Sequence, residues 1–264
     1  MKKTFGVAGG GERGAGLVRL LRADGHTVYG ADSPEQAFGA DVVVLPVPLV
    51  DADGRIAGLP PEEALSRFRA GQRLFAGLVP ENIATEARRL GLSLTDYMKH
   101  EPLAIANAAA TADAAICLTL THTRQSVSGR RCMVLGFGRI GKLLCHRLRG
   151  VGAEVTAAAR NPDDRAWIRA LGMRAVDASR LAGTLEPFPI VYNTIPAPVL
   201  DSGLLRELPP DCFLMDLAST PCTASPVPPG VTYLWARGLP GRVVPRGAAA
   251  ILRDTLYELL RELR

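Results

Sequence analysis

Lysine and aromatic residues are scarce in this sequence of 264 residues. Aromatic side chains make up 5% of the chain, and lysine occurs only at positions 2, 3, 99 and 142, so arginine carries nearly all of the positive charge. The net charge is +5, but acidic residues are interleaved with the arginines and no basic run stands out. A nucleic-acid-binding surface needs clustered basic residues with exposed aromatic ones. We therefore expect no nucleic acid partner, whereas small ligands such as phosphates or carboxylates remain compatible with the charge.

Long apolar runs are also missing from the sequence. No apolar run reaches the roughly 18–20 residues that a membrane span requires. The N-terminus leads from two lysines directly into a glycine cluster, whereas a secretory signal would have an apolar stretch of roughly 7–15 residues there. With 47% hydrophobic residues, the chain can still bury a sizeable core. We expect a cytoplasmic protein without membrane association.

Cysteine and histidine are few and unfavourably spaced for metal binding or disulfides. The five cysteines form no C-x-x-C pair and are irregularly spaced, so we expect neither a zinc site nor a disulfide framework. Cys117, Cys132 and Cys145 are expected to be small core residues, and Cys222, in a proline-rich turn, to be accessible. All four histidines precede residue 147. Hydride transfer assisted by a histidine late in the chain, as in the common two-domain 2-hydroxyacid dehydrogenases, is therefore not expected.

Two strand–glycine–helix openings organise the chain. Phe5–Ala8 runs into Gly9–Gly14, and Arg131–Leu135 runs into Gly136–Gly141. Each opening is followed by an apolar-periodic helix and a further strand, which predicts parallel sheets in both halves. The second half contains six strand-like segments, as in a doubly wound dinucleotide fold. They are Arg131–Leu135, Glu154–Ala159, Met173–Val176, Ile190–Asn193, Cys212–Asp216 and Thr232–Trp235. We predict an α/β protein with two Rossmann-like doubly wound parallel-sheet domains.

The predicted boundaries follow from these patterns. Residues 1–100 form an N-terminal α/β domain on the substrate side, and residues 101–125, free of glycine and proline after Pro102, form an interdomain helix. Residues 126–246 form a second Rossmann domain, and residues 247–264 a C-terminal helix that packs back. The apolar stripe of that last helix consists of Leu252, Leu256, Leu259, Leu260 and Leu263.

The motif Gly136-x-Gly138-x-x-Gly141 predicts a dinucleotide site because it follows an apolar strand and opens a helix. The first glycine permits a tight turn, the second lets the backbone approach a pyrophosphate, and the third lets the helix pack close to the strand. Phe137, Arg139 and Ile140 complete the predicted pyrophosphate turn.

The end of the next strand predicts the cofactor. NAD enzymes tend to have an acidic residue there for the ribose hydroxyls, but this strand ends in Arg160 and Asn161. A guanidinium suits a 2′-phosphate, so we predict NADP. Because ligands lie at the carboxyl ends of parallel strands, further turns are expected around the nicotinamide. These contribute Asn193, Thr194, Ile195, Pro196, Leu217, Ala218 and Gly238.

The N-terminal glycines also spell Gly9-x-Gly11-x-x-Gly14, with Asp32 about where a ribose-binding acid would be. This pattern fits a second nucleotide or a tight substrate-binding loop. We favour the loop because, in a two-domain dehydrogenase, one domain usually binds the cofactor and the other the substrate.

Several of these motifs together resemble the A subunits of dipicolinate synthase. They are Asn107–Asp113, Met133–Arg139, Ala159-Arg160, Asn193–Pro196, Asp216–Ser219 and Gly238–Gly241. The family's first loop reads roughly G-G-D-x-R-Q, of which this chain keeps the glycines and Arg13 but loses the first acid and the glutamine. The family's N-x-x-x-T-A-E-G motif here has Asp113 in place of glutamate and Ala114 in place of glycine.

The resemblance implies an activity and a partner. Members act late in a branch of lysine biosynthesis in sporulating bacteria, oxidising a cyclic dihydrodipicolinate-type precursor to dipicolinate with NADP. They work beside the B subunit of dipicolinate synthase, a separate, flavoprotein-like chain, and the mother cell would be the location. The sequence leaves two alternatives open: a dehydrogenase of another cyclic or keto acid, similar to shikimate dehydrogenase, and a non-catalytic nucleotide-binding subunit. It also leaves open a homo-oligomer.

A dicarboxylate substrate requires cations and hydrogen-bond donors. Arg13 is the predicted carboxylate clamp, and Asn107 and Thr111, four residues apart on one helix face, are predicted to donate to the second carboxylate. The charged cluster Lys99–Glu101 could supply a general base, with His100 the best suited by its intrinsic pKa. Asp113 is the other predicted catalytic residue. The remaining predicted substrate contacts are Pro46, Val47, Pro48, Ser219 and Pro240.

Overall fold

A computed structural model of the chain has two compact units. A parallel β-sheet forms the centre of each unit. The structure describes residues 3–263. The first unit contains residues 3–107 together with residues 244–263, and the second contains Ala108–Val243. The division therefore falls inside a helix that begins in the first unit and ends in the second.

The strands are β1 (Thr4–Val7), β2 (Thr27–Tyr29), β3 (Val42–Val44), β4 (Arg73–Ala76), β5 (Ser93–Asp96), β6 (Arg131–Leu135), β7 (Glu154–Ala159), β8 (Arg174–Asp177), β9 (Ile190–Asn193), β10 (Phe213–Asp216) and β11 (Thr232–Trp235). The helices are α1 (Gly11–Ala23), α2 (Pro34–Gly39), α3 (Pro61–Ser66), α4 (Glu81–Arg89), α5 (Glu101–Thr123), α6 (Arg139–Gly150), α7 (Pro162–Ala170), α8 (Ser202–Arg206), α9 (Leu239–Val243) and α10 (Pro245–Glu262).

Each sheet has a doubly wound strand order. Within residues 3–263, the first sheet has five parallel strands in the order β2-β1-β3-β4-β5, and the second has six in the order β8-β7-β6-β9-β10-β11. These orders are the flavodoxin-like 2-1-3-4-5 and the Rossmann 3-2-1-4-5-6. The prediction of two doubly wound α/β domains is therefore confirmed, and four of the six strands predicted in the second half have the expected bounds.

Continuous apolar runs form the central strands because both faces of a parallel sheet are covered by helices. All three residues of β3 are valine and all are buried. In the second unit, residues 132–135 of β6 are completely buried between two hydrophobic clusters. This arrangement leaves the polar turns at the carboxyl ends of the strands as the positions for ligands.

Helix α10 packs back on the first unit, as the sequence predicts. Leu252, Leu256, Leu259 and Leu260 are buried in its core, whereas Leu263 is 38% exposed at the rim. The helix lies against α1, where a Cβ atom added to Gly16 would be 2.9 Å from the Cβ of Ala249. The missing side chain at Gly16 thus permits the close contact between α1 and α10.

Helix α5 is an exception to the expectation that no apolar segment is long enough to span a membrane. Its 23 residues are long and apolar enough, by length and composition only, to cross a membrane. Its apolar residues also serve two cores: Leu103 is buried in the first unit, and Ala112, Ala114 and Ala115 are buried in the second. Core packing therefore accounts for part of its apolar character, whereas Ile105 and Leu120 on the same helix are exposed.

Several short helices depart from the predictions. Helices α2, α3, α8 and α9 are five or six residues long, too short for a periodic apolar pattern to identify. The predicted turn at Gly238–Gly241 is in part helix, because Gly238 has a φ of +64° and α9 begins at the next residue.

Replacing Gly16 by valine should destabilise the first unit. The new side chain would enter the contact with Ala249, and overpacking of this kind costs about 1–3 kcal/mol. Urea unfolding followed by circular dichroism measures the change. Gly39→Ala is the control, because Gly39 is exposed and a Cβ there would meet nothing within 4 Å. Equal unfolding midpoints for both variants would contradict the close α1–α10 contact.

Candidate functional site

The glycine turn of the second unit depends on two glycines that cannot carry a side chain. Gly136 has a φ of +97°, and a Cβ there would be 2.4 Å from Oγ1 of Thr194. A Cβ on Gly141 would be 2.2 Å from the carbonyl oxygen of Gly136. Thr194 in turn donates from its Oγ1 to the carbonyl of Leu135 at 2.9 Å. The turn after β6 is thus held between α6 and the end of β9.

The same turn leaves space where a pyrophosphate would lie. Gly138 is the N-cap residue of α6, makes no side-chain cap, and a Cβ added to it would meet nothing within 4 Å. The first turn of α6 contains no acidic residue. Free N–H groups and the positive end of a helix favour a phosphate at such a position. The residues after β6 therefore fit a dinucleotide, with Arg139 and Ile140 in the first helical turn.

Arg160 follows the last residue of β7 and is exposed. Among residues 3–263, its guanidinium makes no ion pair or hydrogen bond. Asn161 has a local role, since its side chain accepts a hydrogen bond from the backbone N–H of Asp163 at 3.0 Å and caps α7. The guanidinium of Arg160 is therefore available for a ligand at the edge where a cofactor ribose would lie.

Asn193 connects two of the predicted cofactor turns through its side chain. It is completely buried, and its Nδ2 donates to the carbonyl of Ile195 and to Oδ1 of Asp216, both at 2.9 Å. Its Oδ1 accepts from the backbone N–H of Ile195 at 3.1 Å. Asn193 therefore shapes the turn that contains Thr194, Ile195 and Pro196, rather than directing its amide to an open surface.

Asp216 is a buried carboxylate that was not among the predicted site residues. It accepts hydrogen bonds from Asn193, from the backbone N–H of Ala218 at 3.1 Å, from the hydroxyl of Tyr233 at 3.2 Å and from the backbone N–H of Cys222. Buried charges need such donors to offset their lost hydration. The network fixes the turn that contains Leu217 and Ala218, both buried, while Ser219 next to them is exposed.

A cavity of about 140 Å³ lies at the carboxyl edge of the first sheet. It lies between the turns after β1 and β3, where the strand order reverses and where ligands of doubly wound sheets bind. Its polar and turn residues are Gly9, Gly10, Arg13, Gly14, Pro46, Val47 and Tyr97. Three of the predicted substrate residues, Arg13, Pro46 and Val47, therefore lie together, whereas Pro48 does not line the cavity.

Arg13 gives this cavity an uncompensated positive charge. The residue is half-buried in the first turn of α1, whose N-cap Gly10 makes no side-chain cap. Within residues 3–263 it has no acidic partner, and its Nη2 lies 3.5 Å from the hydroxyl oxygen of Tyr97. A guanidinium beside the positive end of a helix favours an anion. Tyr97 was not predicted as a site residue, although its position directly after β5 would have indicated it.

The same glycine turn borders a second cavity, of about 350 Å³, that reaches Asp32. This is where the sequence leaves a second nucleotide open. Arg22 on its wall is already occupied, since it donates to the carbonyl of Val28 at 2.9 Å. Arg19 also lies on its wall without an ion pair or hydrogen bond to any of residues 3–263, but it is exposed. The smaller cavity, where the unpaired Arg13 is half-buried, is the stronger candidate for an anionic substrate.

The two predicted catalytic residues each have a hydrogen-bond partner in their own unit. Nε2 of His100 is 3.2 Å from Oε2 of Glu258 on α10, and His100 does not line the cavity that contains Arg13. Asp113 accepts a hydrogen bond from Nε of Arg147 on α6 and lies in an open groove. Both therefore face charged neighbours, and a role as general base remains a prediction.

The other predicted substrate residues differ in burial. Thr111 is buried and Asn107 half-buried on α5, and each already makes a contact within the protein. Pro240 is half-buried in α9. Searched over residues 3–263, the chain has no group of three or more His, Cys, Asp or Glu side chains that could hold a metal ion.

Comparison with known proteins agrees with this geometry. Residues 104–197 match the model of the NAD-binding domain of D-isomer specific 2-hydroxyacid dehydrogenases. Two solved structures have the same fold at 15% identity. An L-alanine dehydrogenase has a TM-score of 0.69, and the D-lactate dehydrogenase from Escherichia coli has a TM-score of 0.60. They cover 94% and 98% of this chain, which covers 77% and 96% of theirs. Residues 104–197 are therefore similar to an NAD-binding domain, and the chain has the fold of these dehydrogenases.

A more specific similarity extends over the whole chain. The A subunit of dipicolinate synthase from Bacillus subtilis (strain 168) is 29% identical over 98% of this chain and 96% of its own length. The crystal structure of the B. subtilis protein has a TM-score of 0.84 at 26% identity, covering 99% of this chain and 97% of that one. The Bacillus halodurans structure has a TM-score of 0.82 at 27% identity, with 98% and 97% coverage. The resemblance to the A subunits of dipicolinate synthase is thereby confirmed along the full chain.

Two of the cysteines, which all lie in the second unit, differ from their predicted exposure. Cys222 is completely buried, because its backbone N–H reaches Asp216, and burial together with the Asp216 charge raises the pKa of its thiol. Cys117 on α5 is exposed instead of buried. Burial raises the pKa of the thiols of Cys132, Cys145 and Cys212 to about 12. The expectations for Cys117 and Cys222 were wrong.

Only one thiol should therefore react quickly with Ellman's reagent in the native protein. Thiolates are the reactive form, and the four buried cysteines stay protonated near neutral pH. We expect one fast equivalent, its loss in Cys117→Ser, and four further equivalents after denaturation. The matched variant Cys222→Ser should keep the fast equivalent. A second fast thiol in the native protein would contradict the burial of Cys222.

Proposed function

We propose that this chain catalyses the NADP-dependent oxidation of a dihydrodipicolinate-type cyclic dicarboxylate to dipicolinate. The observation that carries the proposal is the uncompensated guanidinium of Arg13, in a cavity at the switch point of the first sheet. A dicarboxylate would offset that charge. The full-length similarity to the A subunits of dipicolinate synthase supports the choice of substrate.

The reaction removes two hydrogens from the ring. When bound, the oxidised nicotinamide supplies the acceptor for a hydride from a ring carbon, and the second hydrogen leaves as a proton to a base or to water. In this proposal Arg13 binds one carboxylate, and Asn107 and Thr111 donate to the other. Aromatisation favours proton loss, so His100 and Asp113 would need to act as weak bases at most.

Arg160 supports NADP rather than NAD. It is exposed at the end of β7, its guanidinium makes no ion pair or hydrogen bond with another of residues 3–263, and no acidic residue follows the strand until Asp163. A guanidinium can hold a 2′-phosphate with charge-assisted hydrogen bonds.

Changing Arg160 to aspartate should reverse the cofactor preference. Hydrogen bonds to a charged group contribute about 1.5–3 kcal/mol, so the Kd for NADPH should rise roughly 10–100-fold, since about 1.4 kcal/mol is tenfold. The Kd for NADH should stay equal or fall. Calorimetric titration of both cofactors measures the change, with Arg169→Asp on the exposed end of α7 as the charge-matched control. Unchanged NADPH affinity in Arg160→Asp would remove the residue from the cofactor site.

The similarity also suggests a partner and a location. The B. subtilis relative is named as a subunit, and we propose that this chain works beside the B subunit of dipicolinate synthase, a separate, flavoprotein-like chain. We further propose that the protein acts in the cytoplasm, in the mother cell of a sporulating bacterium. Residues 3–107 with 244–263 would serve the substrate, and Ala108–Val243 the cofactor.

Turnover by the purified chain tests the activity directly. The chain, NADP and enzymatically generated dihydrodipicolinate precursor are mixed with and without the B subunit, and the absorbance of NADPH and of the pyridine product is followed. We expect equal amounts of both products, and no NADPH from mixtures without the chain. Turnover of shikimate-type or keto acids instead would favour a different dehydrogenase. NADP binding without turnover in either mixture would favour a non-catalytic role.

A further inference from the structure

Tyr97 lines the cavity that contains Arg13, and its hydroxyl oxygen lies 3.5 Å from Nη2 of that arginine. Tyr97 is only 1% exposed, yet it is one of the residues that line the cavity. A buried tyrosine hydroxyl usually finds a hydrogen-bond partner, because an unsatisfied polar group is costly inside a protein. The partners of this hydroxyl therefore indicate what the cavity holds.

Within the described part of the protein, the Tyr97 hydroxyl only accepts a hydrogen bond, and the donor is Arg13. Nη2 of Arg13 is 3.5 Å from the hydroxyl oxygen, at the long end of hydrogen-bond distance, and a guanidinium can only donate. The proton of the hydroxyl has no acceptor among residues 3–263. Burial raises the pKa of Tyr97, so the group is protonated at neutral pH. A donor without a partner thus remains beside the cavity.

The side chain of the preceding residue, Asp96, fixes the turn that contains Tyr97. The carboxylate of Asp96 accepts from the backbone N–H groups of Leu78 at 3.2 Å, Val79 at 3.1 Å and Met98 at 3.0 Å. These bonds join the turn after β5 to the turn after β4. The tyrosine ring is buried in the core of the first unit. The hydroxyl is therefore held in position before any ligand arrives, which lowers the entropic cost of binding.

We propose that Tyr97 binds the same substrate carboxylate as Arg13, accepting a hydrogen bond from the guanidinium and donating its own proton to the carboxylate. The proposal rests on the proposed function for the identity of the substrate. It defines the ligand of the cavity as a carboxylate with three kinds of donor around it: the Arg13 guanidinium, the Tyr97 hydroxyl and the first N–H groups of α1.

The variant Tyr97→Phe removes the hydroxyl and keeps the ring. We expect the KM for the dihydrodipicolinate precursor and the Kd for dipicolinate to rise about tenfold, as for the loss of one hydrogen bond to a charged group. The kcat, the NADPH affinity and the melting temperature should stay near those of the wild type. Tyr29→Phe is the matched control, since Tyr29 is the last residue of β2 and does not line the cavity.

A double-mutant comparison separates direct binding from packing. If both groups hold one carboxylate, Tyr97→Phe should weaken dipicolinate binding less in an Arg13→Ala background than in the wild type. A purely structural tyrosine would lower the melting temperature and affect cofactor binding in both backgrounds. If Tyr97→Phe does not fold, Tyr97→His, which keeps a donor, must bind dipicolinate more tightly than Tyr97→Leu for the proposal to stand.

Equilibrium binding of dipicolinate keeps this inference distinct from the proposed activity. The wild type could bind dipicolinate but never oxidise the precursor, while Tyr97→Phe binds dipicolinate more weakly. That result would support the carboxylate-binding role of Tyr97 and reject the proposed activity. Normal turnover with unchanged KM and Kd in Tyr97→Phe would reject Tyr97 and keep the activity. A wild-type protein that neither binds dipicolinate nor turns over the precursor would overturn both.

Discussion

The close approach of a helix to the turn before it recurs in both units of this protein. A Cβ on Gly14 would be 2.2 Å from the carbonyl oxygen of Gly9, and a Cβ on Gly141 would be 2.2 Å from that of Gly136. Only glycine fits at the helical position of each pair, so each first helix begins directly against the carboxyl edge of its sheet. Its free N–H groups face the ligand side without a side-chain cap. The free N–H groups of both ends favour anions for the same reason, but the first turn of α1 also contains an acidic residue, the exposed Glu12.

The surroundings of these two helix ends differ, and each end therefore suits a different kind of anion. At α6 the space beside Gly138 is open, which suits the backbone approach of a long pyrophosphate, and the next strand end has an exposed arginine. At α1 the space is a cavity of about 140 Å³ with a half-buried arginine and a buried tyrosine in its wall. A small cavity with a fixed cation suits a compact carboxylate. The same backbone device thus suits a cofactor in one unit and a substrate in the other.

Sequence patterns predicted well those features that depend on local signals. Strands such as β6, β7, β9 and β11 were found with their bounds because apolar runs end at glycine or polar turns. The features that were not predicted depend on distant neighbours. The proline-rich stretch around Cys222 is buried because Asp216 attracts its backbone N–H. Tyr97 becomes part of the cavity only because the sheet order brings the turns after β1, β3 and β5 to one edge. No periodicity in the chain contains that information.

The substrate must therefore be inferred from the first unit. The second unit shares its fold with dehydrogenases that differ in their substrates, such as those of alanine and lactate, and fold similarity at 15% identity does not extend to the chemistry. Asn193 and Asp216 in that unit are hydrogen-bonded to each other and to the backbone, so their side chains maintain the turns after β9 and β10. In the first unit, by contrast, the charge of Arg13 has no acidic partner within residues 3–263. A cation that the fold leaves uncompensated beside a helix N-terminus carries an electrostatic cost. An anionic ligand would remove that cost, which is why we propose that the Arg13 cavity selects the substrate.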